Sequence, residues 1–404
     1  MDVRFLVPPV SEARGGLRVF FLNYWYDPRM ASLEDLLQIY STMRGWVDAV
    51  HAAGAEITVF QRFHQDARVR RDGVSFVLLA DRHDPRLRKW QIPWSLHRAV
   101  QEVCTQVSPR AEPTVVHFNG LFFPLQLRAL RASLPDEVAI VVQHHAEKPS
   151  QGVRRHLQRW GLQAADSFFF AASELASSWA EDGLIGRSQP VYQVMEGSTS
   201  FRRKDRESAR ARTGVTGDPV VLWVGRLIAL KDPLTVLRGF ELVLQHKPGA
   251  RLYLVYGSDD LLSEVRTYVA CRPVLARSVA LLGSLPHPEL EAFYNSADYF
   301  VLGSHYEGSG YSLVEALACG VVPVVTDIPS FRAITDGGQI GACWPPGDSG
   351  AFAAALQRVS CQPVEILSDR AVHFFEEHLS FPAIARKAIK AYSEVAARRA
   401  EQER

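Results

Sequence analysis

DYFVLGSHYEGSGYSLVEALACGVVPVVTD, residues 298–327, reads as a strand, a glycine-rich turn, an apolar helix, a glycine stop and a second strand. Its ends, DYFVLGS (298–304) and VVPVVTD (321–327), are short continuous apolar runs, the pattern of strands covered on both faces. Two such strands joined through a helix run parallel, so the stretch predicts a βαβ unit and an α/β fold. Within it, EGSGYSLVE (307–315) places Glu307 and Glu315 eight positions apart. Gly308 and Gly310 let the backbone approach a ligand closely, and the free amides of a helix start hold an anion. Glu315 lies about one turn into the helix, and helix side chains lean toward the N-terminus, so its carboxylate returns to the same mouth. A carboxylate is a double acceptor suited to a pair of sugar hydroxyls. The plainer alternative is that both acids complement the helix dipole.

The pattern extends outward on both sides. DPVVLWVGR (218–226), a helix over 233–246, GARLYLVYG (249–257), SVALLGSL (278–285), PELEAFYNSA (288–297) and ACWPPGD (342–348) complete one Rossmann-like domain. The first half shows the same alternation. Its strand-like runs are LRVFFLNYW (17–25), AEITVF (55–60), GVSFVLLA (73–80), PTVVHFNG (113–120), EVAIVVQHH (137–145) and the start of 165–183. Helical stretches fall at 33–53, 94–107 and 122–134. Each half therefore predicts a parallel, doubly wound sheet. The expected division is 1–198, 199–375 and a final segment, 376–404, whose amphipathic helix packs back across the hinge.

Bulk properties narrow the function. The 404 residues are 47% hydrophobic and 22% charged with a formal net charge of +1, so no whole-molecule field favours nucleic acid. The five cysteines, Cys104, Cys271, Cys319, Cys343 and Cys361, form no CxxC pair, which argues against a disulfide framework and a thiolate zinc site and fits a reducing cytoplasm. Residues 1–16, with a short apolar run broken by prolines, do not read as a secretory signal. No window approaches the ~18 apolar residues that cross a bilayer. The expectation is a cytoplasmic protein that at most touches a membrane surface.

Two open sheets joined by a linker leave a cleft where the carboxyl ends of both strand sets meet, and ligands of such sheets bind there. Arg226 follows the strand VVLWVG directly and Lys231 stands five residues on, just before Asp232-Pro233 opens a helix. Two cations beside a helix N-terminus make a diphosphate clamp.

With these residues assembled, VGRLIALKDPLTVLRGF, LLGSLPHPELEAFYNSADYFVLGSHYEGSGYSLVEALACGVVPVV and PPGD resemble the C-terminal domain of the family 4 glycosyltransferases, of GT-B fold. The similarity is specific over 219 to about 350 and looser before it. It implies two Rossmann-like domains facing each other across a cleft, with acceptor on the N-terminal side and nucleotide-sugar on the C-terminal side. The implied reaction moves a hexose from a nucleoside diphosphate to an acceptor hydroxyl, with retention and with no metal or other cofactor. Carried over, the resemblance assigns Arg226 and Lys231 to the donor diphosphate. Glu307, first acid of the E-x7-E motif, takes donor-sugar hydroxyls. The backbone of Gly308, Ser309, Gly310 and Tyr311 takes phosphate or sugar, Glu315 the ribose, and the backbone near Gly283 and Leu285 the base. QHHAE (143–147) resembles the family's strand-end histidine, and the small residue that follows aligns His145 rather than His144.

The first half also departs from the family. Members commonly carry Gly-Gly after the first strand, where this chain reads NYWYDPRMASLED, while its own Gly15-Gly16 precedes the strand. Tyr24, Trp25, Tyr26 and Asp27 therefore become acceptor-side candidates, with His117 as a further one at another strand end. Glu196-Gly197-Ser198-Thr199 stands where the family often has Asn-Gly. The basic segment FRRKDRESARAR (201–212), interrupted by acids, reads as a solvated linker. HDPRLRKWQIPW (83–94) mixes arginine, lysine and tryptophan in the manner of an interfacial contact. Two alternatives stand beside the transferase: a nucleotide-sugar epimerase of GT-B fold, and a lipid- or polysaccharide-directed mannosyl- or glucosyltransferase at a membrane surface.

Overall fold

The computed structural model describes residues 16–80, 87–106 and 112–402. The readings of residues 1–15 (Gly15 included) and of 83–86 lie outside the described residues. The first sheet is built from β1 (Arg18–Asn23), β2 (Glu56–Phe63), β3 (Ala67–Arg71), β4 (Val74–Ala80), β5 (Thr114–Asn119), β6 (Ala139–Gln143), β7 (Ser167–Phe170) and β8 (Val191–Gln193). Their order is β3-β4-β2-β1-β5-β6-β7-β8. Strands β1, β5, β6 and β7 are buried along their whole length, as continuous apolar runs require when helices cover both faces.

The second sheet orders β9 (Val220–Gly225), β10 (Arg251–Tyr256), β11 (Val279–Gly283), β12 (Tyr299–Leu302), β13 (Val322–Thr326) and β14 (Ala342–Trp344) as β11-β10-β9-β12-β13-β14. Both sheets reverse strand order beside their first strand, between β1 and β5 and between β9 and β12, and a crevice opens at each reversal.

The first sheet differs from the purely parallel one expected. β3 runs antiparallel to β4, through a turn in which Asp72 (φ 51°) and Gly73 (φ 86°) both take positive φ. Asp-Gly is the residue pair that a two-residue hairpin of this hand demands. β3 lacks the apolar run of its neighbours because it is a mostly exposed edge, ARVRR. The helix expected over 33–53 is two, Leu33–Ile39 and Ser41–Ala52, because Tyr40 (φ −105°, ψ 50°) leaves the helical region. The basic stretch 201–212 is not simply solvated. Its helix Arg206–Thr213 sets Arg206 and Arg210 on the carboxylate of Asp298, at 3.1 and 2.8 Å.

The last helix, Phe381–Gln402, returns to the first domain. Phe381 lies where a Cβ on Gly45 would come within 2.3 Å of its ring, so only glycine admits it. Tyr392 is fully buried and its hydroxyl is 2.5 Å from His117 Nδ1. No described helix is long and apolar enough to cross a membrane.

Candidate active site

Both order reversals point into one cleft, and the loop after β12 forms its floor. Gly303 is required by close packing: a Cβ there would stand 2.8 Å from the Asp232 carbonyl. That approach brings the start of helix Pro233–His246 against the loop and joins Lys231 to Glu307, an ion pair between side chains 76 positions apart. Ser304 donates to the same Glu307 oxygen at 2.7 Å, and Thr326 fixes the loop by donating to the Ser304 carbonyl at 2.6 Å. One Glu307 oxygen is thus engaged twice, leaving the other for a further donor. Arg226, at the end of β9, is exposed and pairs with no acid among the described residues.

Gly310 (φ 62°) caps helix Tyr311–Ala318, and no side chain caps its first amides. Glu315 is anchored from behind: His287 Nε2 meets one oxygen at 2.6 Å and the Tyr294 hydroxyl donates to the other at 2.9 Å. The hydrogen bond to Glu315 holds the His287 pKa above its ordinary value, although part burial opposes it. A charged carboxylate with two fixed partners keeps lone pairs free for two more. Gly283 ends β11 with φ 76° and has open space where a Cβ would sit, while Leu285 is half-buried just beyond it.

The first domain closes over this floor. Gly308 packs so tightly on Ala146 that a Cβ would come within 2.5 Å of the Ala146 Cβ and 2.8 Å of its backbone N. Ala146 itself holds φ 67°, which turns the chain sharply after β6. Tyr306 donates to the Glu147 carbonyl at 3.1 Å, and Ser309 hydrogen-bonds the carboxylate of Glu196. Glu196 also ion-pairs with His145 Nδ1, while His145 Nε2 lies 2.9 Å from Asn119 Oδ1. Burial opposes charge on both partners. Their mutual attraction wins, holding His145 above and Glu196 below its ordinary pKa.

His144 points the other way. It is buried, stacked on Phe170 at 4.5 Å, with Nε2 2.9 Å from the Glu147 carbonyl. The structure therefore gathers Arg226, Lys231, Glu307, Gly308, Ser309, Gly310, Tyr311, Glu315 and His145 around one cleft.

Two acceptor-side candidates are corrected. Tyr24 is buried, its hydroxyl bonded to His97 and its ring set edge-on to Phe118 and Phe123 at 5.1 and 5.3 Å. His117 is buried, stacked on Phe21 at 4.9 Å and bonded to Tyr392, and burial pushes its pKa down to about 3. Both side chains belong to the packing between sheet and helices. Trp25 is exposed at the mouth and Tyr26 half-buried beside it. Asp27 is held by hydrogen bonds from Arg29, which push its pKa down to about 2. Reading the sequence singled out Glu196 only as a cleft-lining segment and missed Ser304, Asn119, His287 and Tyr294. Their partners are 3 to 28 residues away, without a spacing motif to mark them.

Residues 205–371 match the family model described as "Glycosyl transferases group 1". A D-inositol 3-phosphate glycosyltransferase from Thermomonospora curvata is 30% identical over 39% of this chain, which spans 38% of that relative's length. Among solved structures, sucrose-phosphate synthase from Thermosynechococcus elongatus superposes with a TM-score of 0.66 at 19% identity, over 94% of this chain and 99% of the other. HepE from Anabaena, solved with UDP, gives 0.66 at 15% identity over 93% and 100%. At those identities the likeness shows the fold, which is GT-B.

Proposed function

We propose, from the premise that residues 205–371 are a group 1 glycosyltransferase domain, that the chain moves a hexose from a nucleoside-diphosphate sugar to an acceptor hydroxyl. The observation that carries this reading is the Lys231–Glu307 pair, set at the carboxyl end of β9 and β12 beside an uncapped helix start. Cation, acid and free amides converge where a diphosphate and a sugar ring would lie end to end.

In this reading the bond from the anomeric carbon to the diphosphate oxygen breaks and the bond to the acceptor oxygen forms. Negative charge grows on the departing phosphate, where Arg226, Lys231 and the amides of Gly310 and Tyr311 stabilise it. Glu307 takes sugar hydroxyls and balances the positive charge that develops on the ring. Glu315 takes the ribose pair, and the backbone of Gly283 and Leu285 meets the base. His145, fixed by Glu196, borders the reacting centre, and the acceptor enters past Trp25 and Tyr26. Attack on the face the phosphate leaves, with that phosphate receiving the acceptor proton, retains configuration without a metal. Retention and metal independence take their support from the resemblance to family 4 enzymes.

Thermal-shift measurements against UDP-, GDP- and ADP-sugars test the proposal. A donor at ~100 times its dissociation constant adds about 2.7 kcal/mol of stability. One class of donor is expected to raise the melting temperature, and no response to any would contradict the reading. Incubation with the responding donor alone separates transfer from epimerisation, since transfer requires an acceptor and an epimerised donor would not appear.

A further inference from the structure

Three segments of the first domain, 87–101, 113–135 and 148–165, together contain nine Lys and Arg and no Asp or Glu. In a chain with 45 basic and 44 acidic residues, that is a strong local segregation. The fold makes the three neighbours. Gln126, on helix Pro124–Ser133, donates to the Lys89 and Gln91 carbonyls at 3.0 and 2.7 Å. The Arg128 guanidinium lies 5.1 Å over Trp160 of helix Val153–Leu162, and Lys89 lies 5.5 Å over Phe122. Gly161 lets the two helices touch, since a Cβ there would come within 2.3 Å of Pro124.

Arg131 and Arg155 are held by Asp166 and Asp182, at 3.6 and 3.3 Å. Arg88, Lys89, Arg154 and Arg159 are exposed with no acid paired to them among the described residues. Interleaved with these cations are large apolar side chains turned to water: Val153 is 87% exposed, Trp90 66% and Trp94 58%, with Leu157 and Trp160 beside them. Isolated exposed hydrophobics are ordinary; indoles and aliphatics exposed together on three neighbouring segments that carry no acid of their own are not.

We propose that this face docks on a bilayer bearing anionic headgroups, with Val153, Leu157 and the indoles at the interfacial level and the arginines among the headgroups. A soluble polyanion would engage the cations and leave the exposed indoles and aliphatics without a role. The patch begins at the cleft. Helices Pro124–Ser133 and Val153–Leu162 follow β5 and β6, and Lys148 at its edge lies 4.6 Å over the ring of Tyr306 from the second domain. Docking would therefore hold the acceptor mouth at the bilayer, a consequence for acceptor class that rests on the transferase reading, whereas docking itself does not.

The test is flotation of the full chain with vesicles of phosphatidylcholine alone and of equal parts phosphatidylcholine and phosphatidylglycerol. Binding is expected only to the anionic vesicles and weakens as salt rises. A cation near such a surface contributes about fivefold to partitioning, so Arg154→Glu with Arg159→Glu should weaken binding by about 25-fold or more. Trp90→Ser with Trp94→Ser should weaken it while preserving the salt dependence. Equal binding to both vesicle types, no binding at low salt, parent-like binding of the charge-reversed chain, or capture by heparin without vesicle binding would each overturn the proposal. Thermal shift with donor should be the same in parent and variants, so a failure of the transferase reading would appear there and not in flotation.

Discussion

The imidazole of His145, at the end of β6, and the carboxylate of Glu196, in the segment linking the two domains, form an ion pair that Ser309 joins from the second domain. Three separate parts of the chain thus meet on one buried carboxylate at the centre of the cleft. The imidazole and the carboxylate form a charged pair whose state depends on pH.

The sign of that dependence follows from the two shifts. His145, held above its ordinary value, contributes stability at pH below about 6.5 that is lost as pH rises through its raised value. Glu196, held below its ordinary value, contributes stability above about 4.5 that is lost as pH falls through its lowered value. The pair is therefore strongest between those limits. Glu196→Gln should return the His145 titration, followed by NMR, toward or below its ordinary value. It should also flatten the fall of melting temperature as pH rises above about 6.5 or drops below about 4.5, and lower stability by about 1–3 kcal/mol within the window. An unchanged His145 titration would show that the two do not pair in solution.

Gly308 decides whether the cleft can shut. A methyl group there meets the Ala146 backbone rather than a movable side-chain end, so it has no way to be accommodated in the closed arrangement. Gly308→Ala is expected to leave each domain folded, to increase the radius of gyration measured by small-angle scattering, and to weaken donor binding. A parent-like scattering curve would place the closed contact outside the solution ensemble.

Glu315 is pre-positioned by His287 and Tyr294, and its proposed partner, the ribose, is bound equally in ground and transition states. Losing a hydrogen bond to a charged group costs about 1.5–3 kcal/mol, so Glu315→Ala should raise the KM for donor about 10- to 100-fold with a smaller change in kcat. A change confined to kcat would move Glu315 from the ribose to the reacting centre.

Much of this architecture was legible in the sequence because continuous apolar runs alternating with helical stretches admit few arrangements. The turn 307–315 could be placed at a strand's carboxyl end from its flanks alone. What failed was facing. Tyr24 stands just beyond β1 and His117 two residues before the end of β5, close to where mouth-lining side chains are expected. Strands apolar on both faces give no local sign of which residues turn toward the helices, however, and both turned inward. β3 escaped notice for the opposite reason: as an exposed edge it carries arginines where buried strands carry valines. The meeting of Glu196 with His145 and Ser309 joins positions 51 and 113 apart, and no spacing rule connects them.

In the proposed reaction the second domain grips a nucleoside-diphosphate sugar through Lys231, Arg226 and the turn that Glu307 opens. Calorimetric titration of that sugar into the parent, Lys231→Ala and Arg226→Ala tests it most directly. Saturable binding to the parent is expected, with about 10- to 100-fold weaker binding to each variant, as follows from losing a charged hydrogen-bond partner. Undiminished affinity in both variants would contradict it.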